Sequence, residues 1–389
     1  MNSDGRKIAL FGACLVHAVL IGGAFLSIPP LFDRISATEG WSLQQLQEAW
    51  AYLPLGSGAA ALVSGALLQT RSDRSVLAAA ALVAVLGMVW RGWATGPWTF
   101  GASLFVFGIG SGAAFVVLAN RVTRLFDSGS AGMAQAAFFG AYTIGSATGL
   151  ATAESLAAGL GGWRSVPLVW AALSAVSLVP ALATTLAPDA RTRIAPPGPG
   201  WWQRASRYAF SYGAYLGAYL GLVGLLPYQL REWGWDGTEA DGVLALSTLG
   251  FMAGSFWWAS VTDRLGHRRA VYAGCMAAMA ALVLLVPSLA QRGSDAWTAA
   301  IITAMGFFSG ALVLFFPIVS SDPRTGGELT ARSVGFTSAA SYVGGFAVPF
   351  SLAPIAENRP VLAITACAAT FAACGGVMIF RQNAWPSPP

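Results

Sequence analysis

The sequence predicts an all-α polytopic membrane protein, with 12 transmembrane helices in two pseudo-symmetric six-helix bundles. Three observations carry that expectation: a charge-poor composition, twelve apolar stretches of spanning length, and short motifs that return in the same order in the second half. Of 389 residues, 56% are hydrophobic and 10% charged, against about 25% charged in ordinary soluble domains. A soluble core with that apolar fraction would lack the polar residues needed to coat it. The 46 glycines and 15 tryptophans suit a bilayer, where both residues are favoured. The net charge of +5 does not point to nucleic acid, because the basic residues sit in short turns rather than along one stripe. Cys14, Cys275, Cys367 and Cys374 lie inside apolar runs with neither CxxC nor metal-ligand spacing. They read as buried free thiols, and no cofactor or metal is expected.

A spanning helix needs about 20 mostly apolar residues. Such stretches cover residues 8–32, 46–70, 76–95, 98–119, 133–157, 163–186, 206–230, 242–262, 270–290, 296–320, 333–356 and 360–380. "GRK" before the first stretch invites a signal-peptide reading. The stretch runs too long without charge, and no small-residue cleavage site follows, so it is taken as span 1. If the N-terminus is cytoplasmic, sixteen of the 22 basic residues fall in inner segments and six in outer ones. That asymmetry satisfies the positive-inside rule, and it also puts the C-terminus inside. The arginine-heavy, nearly lysine-free composition suggests a GC-rich bacterial genome, hence a bacterial cytoplasmic (inner) membrane.

Residues 187–205, "APDARTRIAPPGPGWWQRA", form the longest polar interruption. Its prolines and arginines resist helix and membrane burial alike, so it reads as a cytoplasmic linker between an N-terminal bundle (1–186) and a C-terminal bundle (206–389). Across that divide "GIGSGA" (Gly108–Ala113) returns as "GFFSGA" (Gly306–Ala311). Tyr142 and Gly145 match Tyr342 and Gly345, and "SDR" (Ser72–Arg74) matches "TDR" (Thr262–Arg264). The offsets are 198, 200 and 190 residues. Two halves of six spans related along the membrane normal are a transporter architecture, with the pathway between the halves near the midplane.

Residues 263–269, "DRLGHRR", resemble the Asp-Arg-x-Gly-Arg-Arg core of a loop motif of the major facilitator superfamily. "GALLQTRSDRSV" (Gly65–Val76) resembles a degraded first-half copy, with extra residues before Asp73 and no Gly-Arg-Arg after Arg74. "GGWR" (Gly161–Arg164) and "ANRVTRLFDSGSAGMAQA" are also similar to the family, with Arg121 at its usual basic position. The resemblance covers the whole chain. It implies a cytoplasmic gate motif comprising Asp73, Arg74, Arg121, Asp263, Arg264, Gly266, Arg268 and Arg269. In that motif Asp263 reaches the start of span 5 near residues 131–134 and acts as a latch. Locally, a carboxylate is favoured beside exposed helix N–H groups, and Gly266 permits the tight turn. The plainer alternative is a topology anchor.

In span 7, Tyr208, Tyr212, Tyr215 and Tyr219 cluster on one helical face, while Gly213, Gly217, Gly221 and Gly224 lie almost opposite. The glycine face suits close helix packing. The hydroxyls need partners that lipid chains do not offer, so Tyr212, Tyr215 and Tyr219 are expected to line a polar pathway. Tyr142, Tyr342 and His17 join them; His17, ionisable at depth, is either a packing residue or a proton relay. Glu48, Arg91 and Glu154 lie toward the outer face. Snorkelling or a mutual pair accounts for them, and Glu154 is the alternative coupling carboxylate.

The resulting expectation is a monomeric secondary active transporter of a small solute, working by rocker-switch alternating access in the lipid bilayer, with protons as the candidate coupling ion. The alternatives are a proton-linked multidrug or metabolite efflux antiporter and a non-transporting receptor or scaffold. No Walker A loop is present. Span 5 lacks the proline of drug-exporter signatures, and the only two histidines leave an intramembrane enzyme without a constellation.

Overall fold

A computed structural model of the chain describes residues 3–125, 131–182, 201–315, 318 and 329–380; the side chains of some helical residues within these ranges, Asp263 among them, lie outside the description. Every element in the described residues is helical. Nine helical segments there are long and apolar enough to cross a membrane, and Ser165–Ala181 is apolar but shorter. The chain divides into two compact units, Met1–Arg193 and Ile194–Pro389.

Unit 1 holds α1 (Ser3–Leu26), α2 (Phe32–Glu39), α3 (Leu43–Thr70), α4 (Asp73–Gly92), α5 (Pro97–Leu125), α6 (Ala131–Gly159) and α7 (Ser165–Ala181). The first apolar stretch does not continue as one helix. Pro29 and Pro30 open a single 3-10 turn, Pro29–Leu31, because neither can donate to the preceding turn. The chain then resumes as the short α2, which ends on Gly40 at φ 72°. Helix α3 starts on a capping box: Ser42 Oγ accepts from the Gln45 amide, and Gln45 returns the bond to the Ser42 amide.

Unit 2 holds α8 (Trp201–Glu232), α9 (Gly237–Leu265), α10 (Arg268–Ala290), α11 (Asp295–Ser309, continued by a 3-10 segment to Leu314), α12 (Leu329–Asn358) and α13 (Pro360–Phe380). Helix α8 begins at Trp201, inside the segment expected to be linker. Asp236 caps α9, and bonds from the Thr238 hydroxyl and amide hold its carboxyl below the usual carboxylate range.

Within each unit, glycines set the helix contacts, and the contacts recur. A Cβ on Gly108 would lie 2.1 Å from the Leu53 carbonyl oxygen, and one on Gly306 1.8 Å from that of Ser247. Gly56 meets Phe105 as Gly250 meets Thr303, and Gly112 meets Ser57 as Gly310 meets Phe251. These pairs are related by constant offsets of 194 residues from α3 to α9 and 198 from α5 to α11. The duplication is therefore written in packing as well as in letters.

The same register corrects two sequence alignments. Gly145 packs on Val19 as Gly344 packs on Gly213, and Gly149 meets Gly23 as Val348 meets Gly217. From α6 to α12 the offset is thus 199, so Tyr142 corresponds to Ser341 rather than to Tyr342. One residue is about 100° of helix rotation, enough to turn the side chain to a different face. Likewise, the 194-residue offset aligns Asp263, in the last turn of α9, with Gln69. Asp73 instead opens α4, capped by Ser72, so "SDR" and "TDR" occupy different positions.

Candidate functional site

The glycine face of α8 packs as its spacing implies. Gly213 lies against the Ala340 carbonyl, and Gly217 against Gly344 and Val348 of α12. The tyrosine face therefore turns to the rest of unit 2, where Phe315 organises it. Tyr212 stacks on Phe315 at 4.8 Å between centroids, and Tyr208 and Tyr272 meet the same ring edge-on or tilted at 6.1 and 6.3 Å. Tyr215 stacks parallel to Tyr219 at 6.1 Å and packs on Phe371. The hydroxyls find protein partners: Tyr215 lies 3.4 Å from the Ser309 carbonyl, and Tyr219 bonds Thr248. Tyr215 is fully buried, whereas Tyr212, Tyr219 and Tyr342 are half-buried. Tyr342 lies in the neighbourhood of Tyr212.

In unit 1, Tyr142 is half-buried and sits between Phe115 (5.3 Å) and Phe25 (6.2 Å), with Phe25 also edge-on to Trp50. His17 is not brought to this ring. It is buried at 1% exposure against α7, its Nδ1 2.7 Å from Ser177 Oγ. The Ser177 hydroxyl donates to the Ser174 carbonyl, so the proton belongs on Nδ1 and Nε2 is left as the acceptor. Ser177 was not singled out in the sequence. Its signal is the buried series Trp170, Ser174, Ser177 and Ala181 at helical spacing on α7.

The charged groups expected toward the outer face do not pair with one another. Glu154 accepts from Arg34 Nη2 at 2.7 Å and Nε at 3.0 Å, a link between α2 and α6. Glu39, at the end of α2, accepts from Arg164 and from Trp163 Nε1, while Arg164 also donates to the Ala94 carbonyl. The "GGWR" turn thus ties α2 to α7. Glu48 accepts from Gln44, so it too is engaged locally. Arg34 and Glu39 were missed in the sequence because neither lies in a motif, and partners 120 residues or more away leave no local trace.

At the end of unit 1 where α4 starts and α7 stops, Arg121 and Asp73 form an ion pair, Nε to Oδ2 2.7 Å, with side chains 0% and 1% exposed. Arg121 Nη1 also donates to the Ala181 carbonyl at the end of α7, and the Cys14 thiol lies beside it. Three helix ends, of α4, α5 and α7, meet on one guanidinium. Arg74, next to Asp73, is exposed.

In unit 2, Gly266 closes α9 in the left-handed region, φ 70°, and His267 Nδ1 sits 2.5 Å from the Leu265 carbonyl. Arg264 is exposed, Arg268 is partly buried, and Arg269 donates to the Tyr208 hydroxyl at 3.2 Å. Arg207 donates to the same oxygen at 2.7 Å and lies over the Tyr208 ring. The Asp263 side chain lies outside the described residues, as do the side chains of 131–133.

A family model described as Major Facilitator Superfamily matches residues 13–349. A crystal structure of a point mutant of the nucleoside transporter NupG is similar in fold. Its TM-score is 0.73 at 12% sequence identity, and the match covers 96% of this chain and 97% of that one. No curated protein sequence matches the chain.

Proposed function

The chain belongs to the major facilitator superfamily, and from that premise we propose that it is a secondary active transporter that moves a small solute by alternating access. The observation that carries the reading is the recurrence of glycine-set helix contacts in both units at constant offsets. Two units built on one packing plan are the architecture in which transporters of this kind rock one bundle against the other around a site near the midplane. Tyr142, Tyr212, Tyr219 and Tyr342 supply the solute contacts, because each is only half-buried. Tyr215 supports Tyr219 from behind by stacking.

The expected solute is uncharged or weakly charged. Among the described residues the half-buried aromatic groups carry hydroxyls and ring faces, while Glu154 is engaged by Arg34. Nucleosides are the first solutes to test, since a nucleoside transporter shares the fold. The coupling ion we assign is the proton, through Glu154 or His17. Glu154 must leave Arg34 to take it up, and His17 must use its Nε2.

Counterflow of labelled solute in proteoliposomes tests the reading. Counterflow should occur for at least one member of a panel of nucleosides, sugars, amino acids, organic acids and cationic drugs. Tyr212→Ala and Tyr142→Ala should each weaken it at least tenfold. Glu154→Gln or His17→Gln should abolish uptake driven by a pH gradient while leaving counterflow intact. A folded protein that binds a panel member but never exchanges it would be a receptor, and the transporter reading would fall.

A further inference from the structure

We infer that Arg91 is the binding group of a small-anion site inside unit 1, suited to chloride or another anion of a few atoms. Its guanidinium is fully buried at 0% exposure, and none of Nε, Nη1 or Nη2 donates to any acceptor in the described residues. Among the described residues the guanidinium meets the Phe107 ring, whose centroid is 4.9 Å from Cζ. A ring face attracts a cation but accepts no hydrogen bond of ordinary strength. Arginine does not neutralise itself by losing a proton, and a buried charge needs a partner of opposite sign or a set of acceptors. Five N–H bonds without an acceptor therefore point to a ligand that brings one.

The fold does not require a cation here. Helix α10, which stands in unit 2 where α4 stands in unit 1, fills its buried face with Met279, Val283, Val286 and Ala290. Arg91 lies in the last turn of α4, and ionisable residues buried within membrane-spanning helices mark function more often than packing. Glu154, Glu39 and Glu48 do not serve it: Arg34 engages the first, Arg164 the second and Gln44 the third.

Ligand size follows from the walls. Helix α4 approaches α5 so closely that a Cβ on Gly87 would fall 2.4 Å from the Phe107 nitrogen. On the other side, one on Gly92 would fall 3.0 Å from Leu168 Cδ2. With the guanidinium at 0% exposure and its surroundings packed this closely, an anion of a few atoms fits better than an organic carboxylate with a carbon skeleton.

The test uses the purified full-length protein at constant ionic strength, with gluconate replaced stepwise by chloride or bromide. The wild type should show a saturable rise in Tm with either halide, since a ligand that binds only the folded state stabilises it. Arg91→Leu should lose the rise, and its Tm in gluconate should equal or exceed that of the wild type. Should Arg91→Leu fail to fold, bromide-soaked wild-type crystals decide the matter by an anomalous peak within hydrogen-bond distance of the guanidinium. A halide-independent wild type, an equal response in both proteins, or ordinary water density at Arg91 would overturn the assignment. None of these outcomes bears on solute exchange.

Discussion

Asp73 and Arg121 are withdrawn from water together, and their worth lies in the pairing. Each bears a charge that would be costly to bury alone, and the guanidinium also satisfies the Ala181 carbonyl at the end of α7. Removing one member of such a pair typically costs about 3–5 kcal/mol, whereas replacing both by apolar residues of similar volume is often neutral. Asp73→Asn should therefore lower the Tm of the purified protein substantially, and Arg121→Met should do the same. Asp73→Leu combined with Arg121→Met should recover most of the loss. Additive losses in the double variant would show that each side chain acts alone. The sequence singled out both residues as members of an inner-face motif, yet 48 residues of separation hid their partnership. His17 illustrates the converse. Its ionisable ring stood out in an apolar span, but its packing against Ser177 follows from which face of α1 meets α7, and periodicity on α1 alone does not report that.

Helices in both units approach one another on glycine, and this was the most legible feature of the elements. The series Gly213, Gly217 and Gly221 on α8 marks one face by helical spacing, and that face meets α12. The register between α6 and α12 was less legible. Small residues are frequent in both helices, so an offset of 200 reads nearly as well as one of 199, and only the backbone contacts separate them. The break at Pro29–Pro30 was readable in principle, since two prolines cannot continue the hydrogen-bond ladder, but the apolar run through it masked the stop. Gly306 offers the sharpest test at this scale. Its Cβ position is 1.8 Å from the Ser247 carbonyl oxygen, a backbone atom that cannot rotate aside. Gly306→Ala should force α9 and α11 apart and cost roughly 3 kcal/mol, the upper part of the usual range for overpacking. Gly274→Ala on α10, with nothing within 4 Å of the new methyl group, should leave thermal stability unchanged or slightly raised. Equal melting temperatures for the two variants would mean that close approach is not what holds α9 to α11.

For the whole molecule, the distribution of charge argues for one orientation in the bilayer. Composition and hydropathy alone marked the chain as a multi-pass membrane protein, because twelve apolar stretches of spanning length cannot all be hidden in a soluble core of this size. The side each loop faces is a finer question, and it rests on arginine. Sixteen of 22 basic residues fall on alternate segments that include the stretch 187–205, and basic residues near span ends are retained on the cytoplasmic side. We therefore expect 187–205 to lie in the cytoplasm and the acidic turn between α8 and α9 to lie outside. Ala195→Cys and Glu232→Cys test this directly. The four native cysteines are buried, so the parent protein should give little background with a membrane-impermeant maleimide. In intact cells Glu232→Cys should be labelled and Ala195→Cys protected, and permeabilisation should expose the second. The reverse pattern would place the termini outside. Both cysteines on one side would mean that α8, the single helix between them, does not cross the bilayer. The experiment therefore probes the crossing of α8 together with its direction, and the expected pattern would tie the charge distribution to the side on which the segment between the two units lies.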